Sequence, residues 1–145
     1  MGEILVVDDE QDICWALAIA LTDEGHRVTQ VNTGAEAIQE VKRRSFAAAL
    51  VDVKLPGQSG IEVARIIGGL DSRLKIVMIS GYHYAEDQPI QDGIRRGAYW
   101  GFISKPFDLD EVAALMRRLT AEHGSVSPQD FGHPRSRGER GGIQP

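Results

Sequence analysis

The sequence predicts a single α/β domain built around a parallel β-sheet, and three observations support this prediction. Short apolar runs rich in Val and Ile alternate with segments of helical periodicity along the chain. Brief runs of this kind are typical of strands that helices cover on both faces. The chain has 145 residues, of which 42% are hydrophobic and 26% charged, so it is long enough for one domain with a substantial core.

Five runs are predicted to be strands because each is brief, mostly apolar and rich in residues that suit a buried sheet. The alternation of these runs with helices favours a parallel arrangement, since parallel strands need a long crossover between them. In chain order the strands are EILVV (3–7), RVTQV (27–31), AALVD (48–52), KIVMIS (75–80) and WGFIS (100–104).

Five segments are predicted to be helices. The first carries Ile13, Leu17 and Leu21 at helical spacing. The last begins after Asp108, a suitable N-cap, and has acidic residues at its start and basic residues towards its end. Gly93 weakens the fourth segment, because glycine destabilises a helix interior by about 1 kcal/mol relative to Ala. The segments span residues 12–25, 33–44, 60–69, 88–97 and 108–123.

The composition changes near residue 122, where the chain becomes rich in Gly and Pro and poor in large apolar residues. Such a segment cannot bury enough apolar surface to offset the entropy lost on ordering. We therefore expect a folded domain over residues 1–122 and a disordered tail or linker over residues 123–145.

Charge and composition also exclude several classes of protein. The net charge of −5 argues against a nucleic-acid-binding surface, which would be basic. No apolar run approaches the roughly 20 residues that cross a bilayer, and the acidic N-terminus is unlike a signal peptide. The single Cys14 excludes an internal disulfide and suits a reducing compartment. We expect a cytoplasmic protein that contacts neither nucleic acid nor membrane directly.

Polar residues stand where the predicted strands end. Asp8 and Asp9 follow the first strand, Asp52 ends the third, Ser80 ends the fourth and Lys105 follows the fifth. Because parallel strands end at one edge of a sheet, these side chains should converge there. Neighbouring carboxylates raise one another's pKa unless a cation compensates, and hard oxygen ligands suit Mg²⁺. A small anion such as a phosphoryl group could then bind between the metal, the lysine and the hydroxyl.

Each of these features also has a simpler interpretation when it is taken alone. The sequence DDE after a strand fits a solvated turn or the start of a helix, and Asp52 alone fits a strand-end cap. Lys105 fits an ordinary surface lysine, and Phe102 fits a core aromatic residue. Their combination in register is what favours the functional interpretation.

Four motifs carry a resemblance to the receiver domains of two-component response regulators. They are ILVVDDE, ALVDVKLPGQSGIEVARII, IVMISG and SKPF, and together they cover about residues 3–120. The resemblance implies a flavodoxin-like (βα)5 three-layer sandwich whose parallel sheet has the strand order 2-1-3-4-5. The sequences of the motifs also resemble those of receivers attached to ATPase-type transcription activators, so transcription regulation is one expected output.

The resemblance implies a metal site and a phosphorylation site. Asp52 resembles the phosphoacceptor, Asp9 the direct Mg²⁺ ligand and Asp8 an acid that acts largely through water. Lys54 should offer its backbone carbonyl to the metal, for which Mn²⁺ is an alternative to Mg²⁺.

The resemblance implies a switch as well. Ser80 resembles the hydroxyl that bonds a phosphoryl oxygen, and Lys105 the lysine that pairs with another. Pro106 resembles the residue preceded by a cis peptide bond. Phe102 resembles the aromatic switch residue, with Tyr99 and Trp100 as alternatives because the segment from Ser80 to Lys105 is longer than usual in the family.

The implied function is a phosphorylation-dependent signalling switch that receives a phosphoryl group from a sensor histidine kinase or phosphotransfer protein. Phosphorylation should alter the face formed by the fourth helix, fifth strand and fifth helix, and homodimerisation through that face is one outcome. Such a protein is not an enzyme beyond its own phosphoryl transfer and dephosphorylation. The alternatives are a phosphorylation-independent scaffold and a Mg²⁺-dependent aspartyl-phosphate phosphatase. A stand-alone receiver and the N-terminal part of a larger regulator are both compatible with the sequence.

Overall fold

A computed structural model of the chain describes residues 2–81 and 99–121. The helices within these ranges are α1 (Gln11–Asp23), α2 (Gly34–Arg43), α3 (Gly60–Leu70) and α4 (Leu109–Leu119). The strands are β1 (Glu3–Val7), β2 (Arg27–Val31), β3 (Ala48–Asp52), β4 (Lys54–Leu55), β5 (Gln58–Ser59), β6 (Lys75–Ser80) and β7 (Gly101–Ser104).

The five longer strands form a parallel sheet in the order β2-β1-β3-β6-β7. Since β4 and β5 form a separate antiparallel pair, the sheet has the order 2-1-3-4-5 among its own strands, and the predicted topology is confirmed. The register places Asp52 beside Ile79 and Ser80 beside Ser104. The polar residues at the carboxyl ends of β3 and β6 therefore lie at the same edge.

The core has two layers, one on each face of the sheet. Alternate residues of β1, β3 and β6 pack with α2 and α3, and the residues between them pack with α1 and α4. Successive side chains of a strand point to opposite faces, which explains why nearly continuous apolar runs fill both layers. The predicted three-layer sandwich is confirmed.

Side-chain caps start three of the helices. Thr33, Ser59 and Asp108 precede α2, α3 and α4, and each accepts a hydrogen bond from a backbone N–H of the first turn. The predicted N-cap at Asp108 is thus confirmed. The first helix differs, because Glu10 occupies its N-cap position without capping through its side chain.

The hairpin of β4 and β5 was not predicted, because two-residue strands show no periodicity. It turns at Gly57, whose φ of +67° favours glycine. The chain then enters α3 at Gly60, whose N–H donates to the Val53 carbonyl at 2.6 Å. A Cβ atom at Gly60 would lie 1.8 Å from the Asp52 carbonyl oxygen, so only glycine fits there. The PGQSG sequence consequently packs the start of α3 directly against the end of β3.

The predicted elements correspond closely to the observed ones. All five predicted strands are found, and only the last begins one residue later, at Gly101. The predicted helix over 88–97 and the tail over 123–145 lie outside the described residues, so the domain boundary near 122 stays a prediction. Among the described residues, none of the helices is long and apolar enough to traverse a lipid bilayer.

Candidate functional site

The carboxyl edge of the sheet brings together three buried polar residues and one lysine. Asp8 follows β1, Asp52 ends β3 and Ser80 ends β6, and all three are buried. Lys105 follows β7, and its backbone N–H donates to the Ser80 carbonyl at 2.8 Å. The Lys105–Pro106 peptide bond, expected to be cis, is cis. Each side chain reaches the site because the strands are parallel and end level with one another.

The Asp52 carboxylate is held by two hydrogen bonds. The backbone N–H of Lys54 donates to Oδ1 at 3.1 Å, and the Lys105 ammonium donates to Oδ2 at 2.9 Å. The Lys54 side chain itself is exposed. Both oxygens of the expected phosphoacceptor therefore have fixed positions, and the backbone of Lys54, expected to offer its carbonyl to a metal, lies beside them.

The Lys105 ammonium is shared by three carboxylates. Its Nζ atom lies 2.7 Å from Glu10 Oε1, 2.9 Å from Asp52 Oδ2 and 3.3 Å from Asp8 Oδ2. Burial alone would lower the pKa of Lys105, but the hydrogen bonds to Glu10 and Asp52 and the nearby negative charges raise it. The lysine is therefore charged and is the positive centre of the site.

Asp8 is the least solvated of the acids. Its Oδ1 atom accepts a hydrogen bond from the Glu10 N–H at 2.9 Å, but Oδ2 accepts none from the described residues. Burial, reinforced by the charge of Asp52, raises the pKa of Asp8 to about 6, although the Glu10 N–H and Lys105 partly oppose this. The buried Cys14 thiol donates to the Asp8 carbonyl at 3.2 Å. Burial and the Asp8 charge raise the pKa of that thiol to about 11.

Three carboxylates of the described residues are close enough to share a metal ion. One oxygen each from Asp8, Glu10 and Asp52 lies within 4.8 Å of the others. One ammonium cannot neutralise three acids, and Asp8 Oδ2 lies 3.3 Å from that ammonium but accepts no regular hydrogen bond from the described residues, so it supplies an available oxygen ligand. The residues present therefore fit a hard divalent cation with oxygen ligands, the kind that Mg²⁺ prefers.

The acid expected to bind the metal directly is not part of this cluster. Asp9 is exposed, and its neighbour Glu10 supplies the third carboxylate instead. Asp9 as a metal ligand stays a prediction. Sequence reasoning missed Glu10 because its contact with Lys105 joins residues 95 positions apart, and nothing in the local pattern indicates it. The only available signal was that Glu10, and not Ser, Thr, Asp or Asn, stands at the N-cap position of α1.

The two expected switch residues lie next to the site and to the core. The Ser80 hydroxyl is buried and has no hydrogen-bond partner among the described residues. Phe102 is half-buried and packs against the core layer of α2 and α3. Tyr99 is buried in the same layer, whereas Trp100 packs in the opposite one. Phe102 and Tyr99 therefore lie on the same face of the sheet, and Trp100 lies on the opposite face.

Comparisons with known proteins agree with this geometry. A family model described as the response regulator receiver domain matches residues 4–117. Sporulation initiation phosphotransferase F of Bacillus subtilis (strain 168) is 30% identical over 116 residues, which are 80% of this chain and 91% of that protein. Response regulator receiver protein CpdR of Brucella abortus (strain 2308) is 33% identical over 119 residues, 82% of this chain and 97% of that protein.

Some relatives are considerably longer than the matched region. The transcriptional regulatory protein YkoG of Bacillus subtilis is 31% identical over 131 residues, which are 90% of this chain but 56% of that protein. Among solved structures, the response regulator TrrA from Thermotoga maritima, in complex with Mg²⁺ and BeF, superposes with a TM-score of 0.72 at 31% identity. That match covers 82% of this chain and 99% of the other.

Proposed function

The chain belongs to the response regulator receiver domain family, and on that premise we propose that it is a phosphorylation-dependent switch. In this proposal Asp52 accepts a phosphoryl group from a sensor histidine kinase or a phosphotransfer protein. The observation that carries the proposal is the buried Asp52 carboxylate, bonded at 2.9 Å to Lys105 inside a cluster of acids. The Asp52 nucleophile, the Lys105 ammonium and a set of oxygen ligands for a metal then lie at one sheet edge, as phosphoryl transfer requires.

The transfer begins with an Asp52 oxygen attacking the phosphorus of a phosphohistidine. The O–P bond forms as the N–P bond breaks, and the histidine nitrogen keeps the electron pair of the broken bond. Lys105 is already within 2.9 Å of the nucleophile and donates hydrogen bonds to the phosphoryl oxygens as they arrive. A bound Mg²⁺ would be held by Asp8 and Asp52, with the Asp9 and Lys54 oxygens expected beside them. It would stabilise the negative charge of the phosphoryl oxygens. Mn²⁺ is the alternative ion.

The Ser80 hydroxyl is suited to report the new charge. It is buried without a hydrogen-bond partner among the described residues, so a phosphoryl oxygen at Asp52 would give it one. Movement of Ser80 towards that oxygen leaves room on the face where Phe102 packs, and the ring becomes more buried. The surface of β7 and α4, which are the predicted fifth strand and fifth helix, then changes. In thermodynamic terms, phosphorylation biases an existing equilibrium between two conformations of the domain. Homodimerisation through this surface is part of the proposal.

An exposed apolar pair supports a protein phosphodonor. Trp15 and Ile19 lie one turn apart on α1 and are 64% and 49% exposed. The helix that carries them starts immediately after Glu10, which contacts Lys105 in the site. A partner that places a phosphohistidine over Asp52 would cover this part of α1 as well. In this proposal the domain catalyses only its own phosphorylation and dephosphorylation.

Intact mass spectrometry after incubation with Mg²⁺ and acetyl phosphate tests the proposal. We expect the wild type to gain the mass of one phosphoryl group, and Asp52→Asn or addition of EDTA to abolish that gain. Asp23→Asn, which removes an exposed carboxylate at the far end of α1, is the matched control and should be phosphorylated normally. A wild type that neither gains mass nor binds beryllofluoride with Mg²⁺ would favour a phosphorylation-independent scaffold.

A further inference from the structure

The ammonium of Lys105 contacts the same carboxylates that could hold the expected divalent cation. Asp8 Oδ2 and Asp52 Oδ2 are close to Nζ, and both residues belong to the cluster that fits a metal. We propose that Glu10 is a positioning residue that holds the Lys105 ammonium at the exposed side of the cluster, leaving Asp8 and Asp52 for the cation. This inference rests on the proposed function and concerns Glu10, a residue to which the resemblance assigns no role.

The distances and burial single out Glu10 among the three acids. Its contact with Nζ is the shortest of the three, at 2.7 Å, and its side chain is 57% exposed. The side chains of Asp8 and Asp52 are 0% and 6% exposed. An ammonium that stays on Glu10 keeps contact with water, whereas one that moves onto Asp8 and Asp52 loses that contact and competes with a cation for these two carboxylates.

The backbone of Glu10 is fixed, while its side chain is free to serve Lys105. The Glu10 N–H donates to Asp8 Oδ1 at 2.9 Å, and its carbonyl accepts from Ile13 and Cys14 at 3.1 Å each. At an N-cap the side chain usually accepts a backbone N–H, but that of Glu10 does not. The carboxylate points instead to Lys105. The start of α1 thereby presents the acceptor at a defined position above the site.

Without Glu10, the Lys105 ammonium would keep only its ion pairs with the buried Asp8 and Asp52. The ammonium would then compete directly with a divalent cation for Asp8 and Asp52. Loss of Glu10 should therefore weaken metal binding through the lysine, in addition to the smaller effect of losing an exposed charge near the metal.

Isothermal titration calorimetry with Mg²⁺ on the full chain tests this inference. We expect Glu10→Gln to raise the Mg²⁺ dissociation constant about three- to tenfold, a size typical of coupling between charges that share one network. Asp12→Asn is the matched control, since it removes an exposed carboxylate from the first turn of the same helix. It should change the constant less than about twofold, as expected for a screened surface charge.

A double-mutant cycle with Lys105→Met separates action through the lysine from direct action on the metal. We expect Glu10→Gln to have a smaller effect in the Lys105→Met background than in the wild type. An equal effect in both backgrounds, or an effect of Glu10→Gln no larger than that of Asp12→Asn, would overturn the inference. Thermal unfolding of each metal-free variant establishes that it is folded.

The result can be told apart from a failure of the proposed function. A wild type that binds no Mg²⁺ and is not phosphorylated would overturn both proposals. A wild type that binds Mg²⁺ and is phosphorylated, with unchanged Mg²⁺ affinity in Glu10→Gln, would overturn the role of Glu10 alone.

Discussion

The two edges of the sheet differ in how their polar groups are satisfied. At the carboxyl edge, Asp8 Oδ2 and the Ser80 hydroxyl are buried without hydrogen bonds from the described residues. At the amino edge, Glu3 pairs with Arg27 at 3.0 Å in an exposed ion pair. Lys75 there donates to the Leu119 carbonyl at the end of α4 at 2.9 Å. The carboxyl edge leaves polar groups available for ligands, whereas Glu3 and Lys75 at the amino edge join neighbouring elements, with the buried His26 ring as an exception there.

The difference shows where this fold gives up stability for function. Buried polar groups without partners are unfavourable, and they persist where binding supplies the missing partner. The pKa of Asp8, raised by burial, is the clearest sign of this at the carboxyl edge. Substitutions at the two edges should therefore change the free energy of unfolding in opposite directions or by different amounts. Three predictions test this, from the largest expected change to the smallest.

The same substitution at the two ends of α3 should give opposite results. Gly60→Ala places a Cβ atom 1.8 Å from the Asp52 carbonyl oxygen, so the start of α3 or the end of β3 must move. We expect a loss of about 3 kcal/mol or more in the free energy of unfolding. Gly69→Ala meets no atom within 4 Å and should raise stability by about 0.5–1 kcal/mol through helix propensity. Urea denaturation measures both, and comparable losses at the two positions would contradict the prediction.

Removal of the buried charge of Asp8 should stabilise the metal-free protein. Its folded pKa of about 6 lies above the ordinary value of 3.8, so the ionised form destabilises the fold as the pH rises from about 4, and most strongly above pH 6. We expect Asp8→Asn to raise the free energy of unfolding by about 1–3 kcal/mol at pH 7, and to lose this advantage near pH 4. Glu3→Gln at the opposite edge should lower it by about 0.5 kcal/mol or less, as for an exposed pair.

Urea denaturation in EDTA at several pH values tests the Asp8 prediction. Addition of Mg²⁺ should narrow the difference between the wild type and Asp8→Asn, because the metal stabilises only the protein that binds it well. A destabilised Asp8→Asn at pH 7 without metal would show that the Asp8 charge is compensated by its neighbours.

His26 makes the amino edge sensitive to acid. Its ring is buried, and neither nitrogen has a hydrogen-bond partner among the described residues. Burial lowers the pKa of His26, aided by the positive N-terminus and Arg117 and opposed by Glu24. At low pH the unfolded chain therefore binds more protons than the folded one. The contribution of His26 to the free energy of unfolding is constant above about pH 6.5 and declines as the pH falls below that value, by at most about 1.4 kcal/mol per pH unit.

The His26→Phe variant isolates this effect, because an aromatic ring still fills the site and the titration is removed. The wild type should lose more stability than His26→Phe between pH 7 and pH 5. Asp8 titrates in an overlapping range with the opposite sign, so the difference between the two proteins, measured by urea denaturation, is the informative quantity. Parallel pH profiles would show that the His26 ring becomes protonated without penalty.

The sequence predicts most of the sheet because its apolar runs are short, well separated and buried on both faces. The strand order itself came from the resemblance, since periodicity does not specify which strands are neighbours. The convergence of Asp8, Asp52, Ser80 and Lys105 follows from one rule, that parallel strands end at the same edge. These residues are predictable because each immediately ends or follows a strand.

The features that sequence reasoning missed depend on contacts between distant parts of the chain. The role proposed for Glu10 arises from a contact across 95 positions. The need for glycine at position 60 arises from the close approach of α3 to the Asp52 carbonyl, not from an unusual φ. The exposure of Asp9 depends on the backbone path between β1 and α1. Local patterns carry no information about any of these distances.

The single cysteine gives the protein a built-in probe of its own motions. Cys14 lies on the buried face of α1, and its raised pKa of about 11 leaves almost no reactive thiolate at neutral pH. A thiol reagent should therefore modify the native chain only when α1 separates from the sheet. Since the chain contains no second cysteine, the labelling rate reports this separation without any substitution. Comparing the rate with and without a ligand would show how firmly the site holds α1 closed.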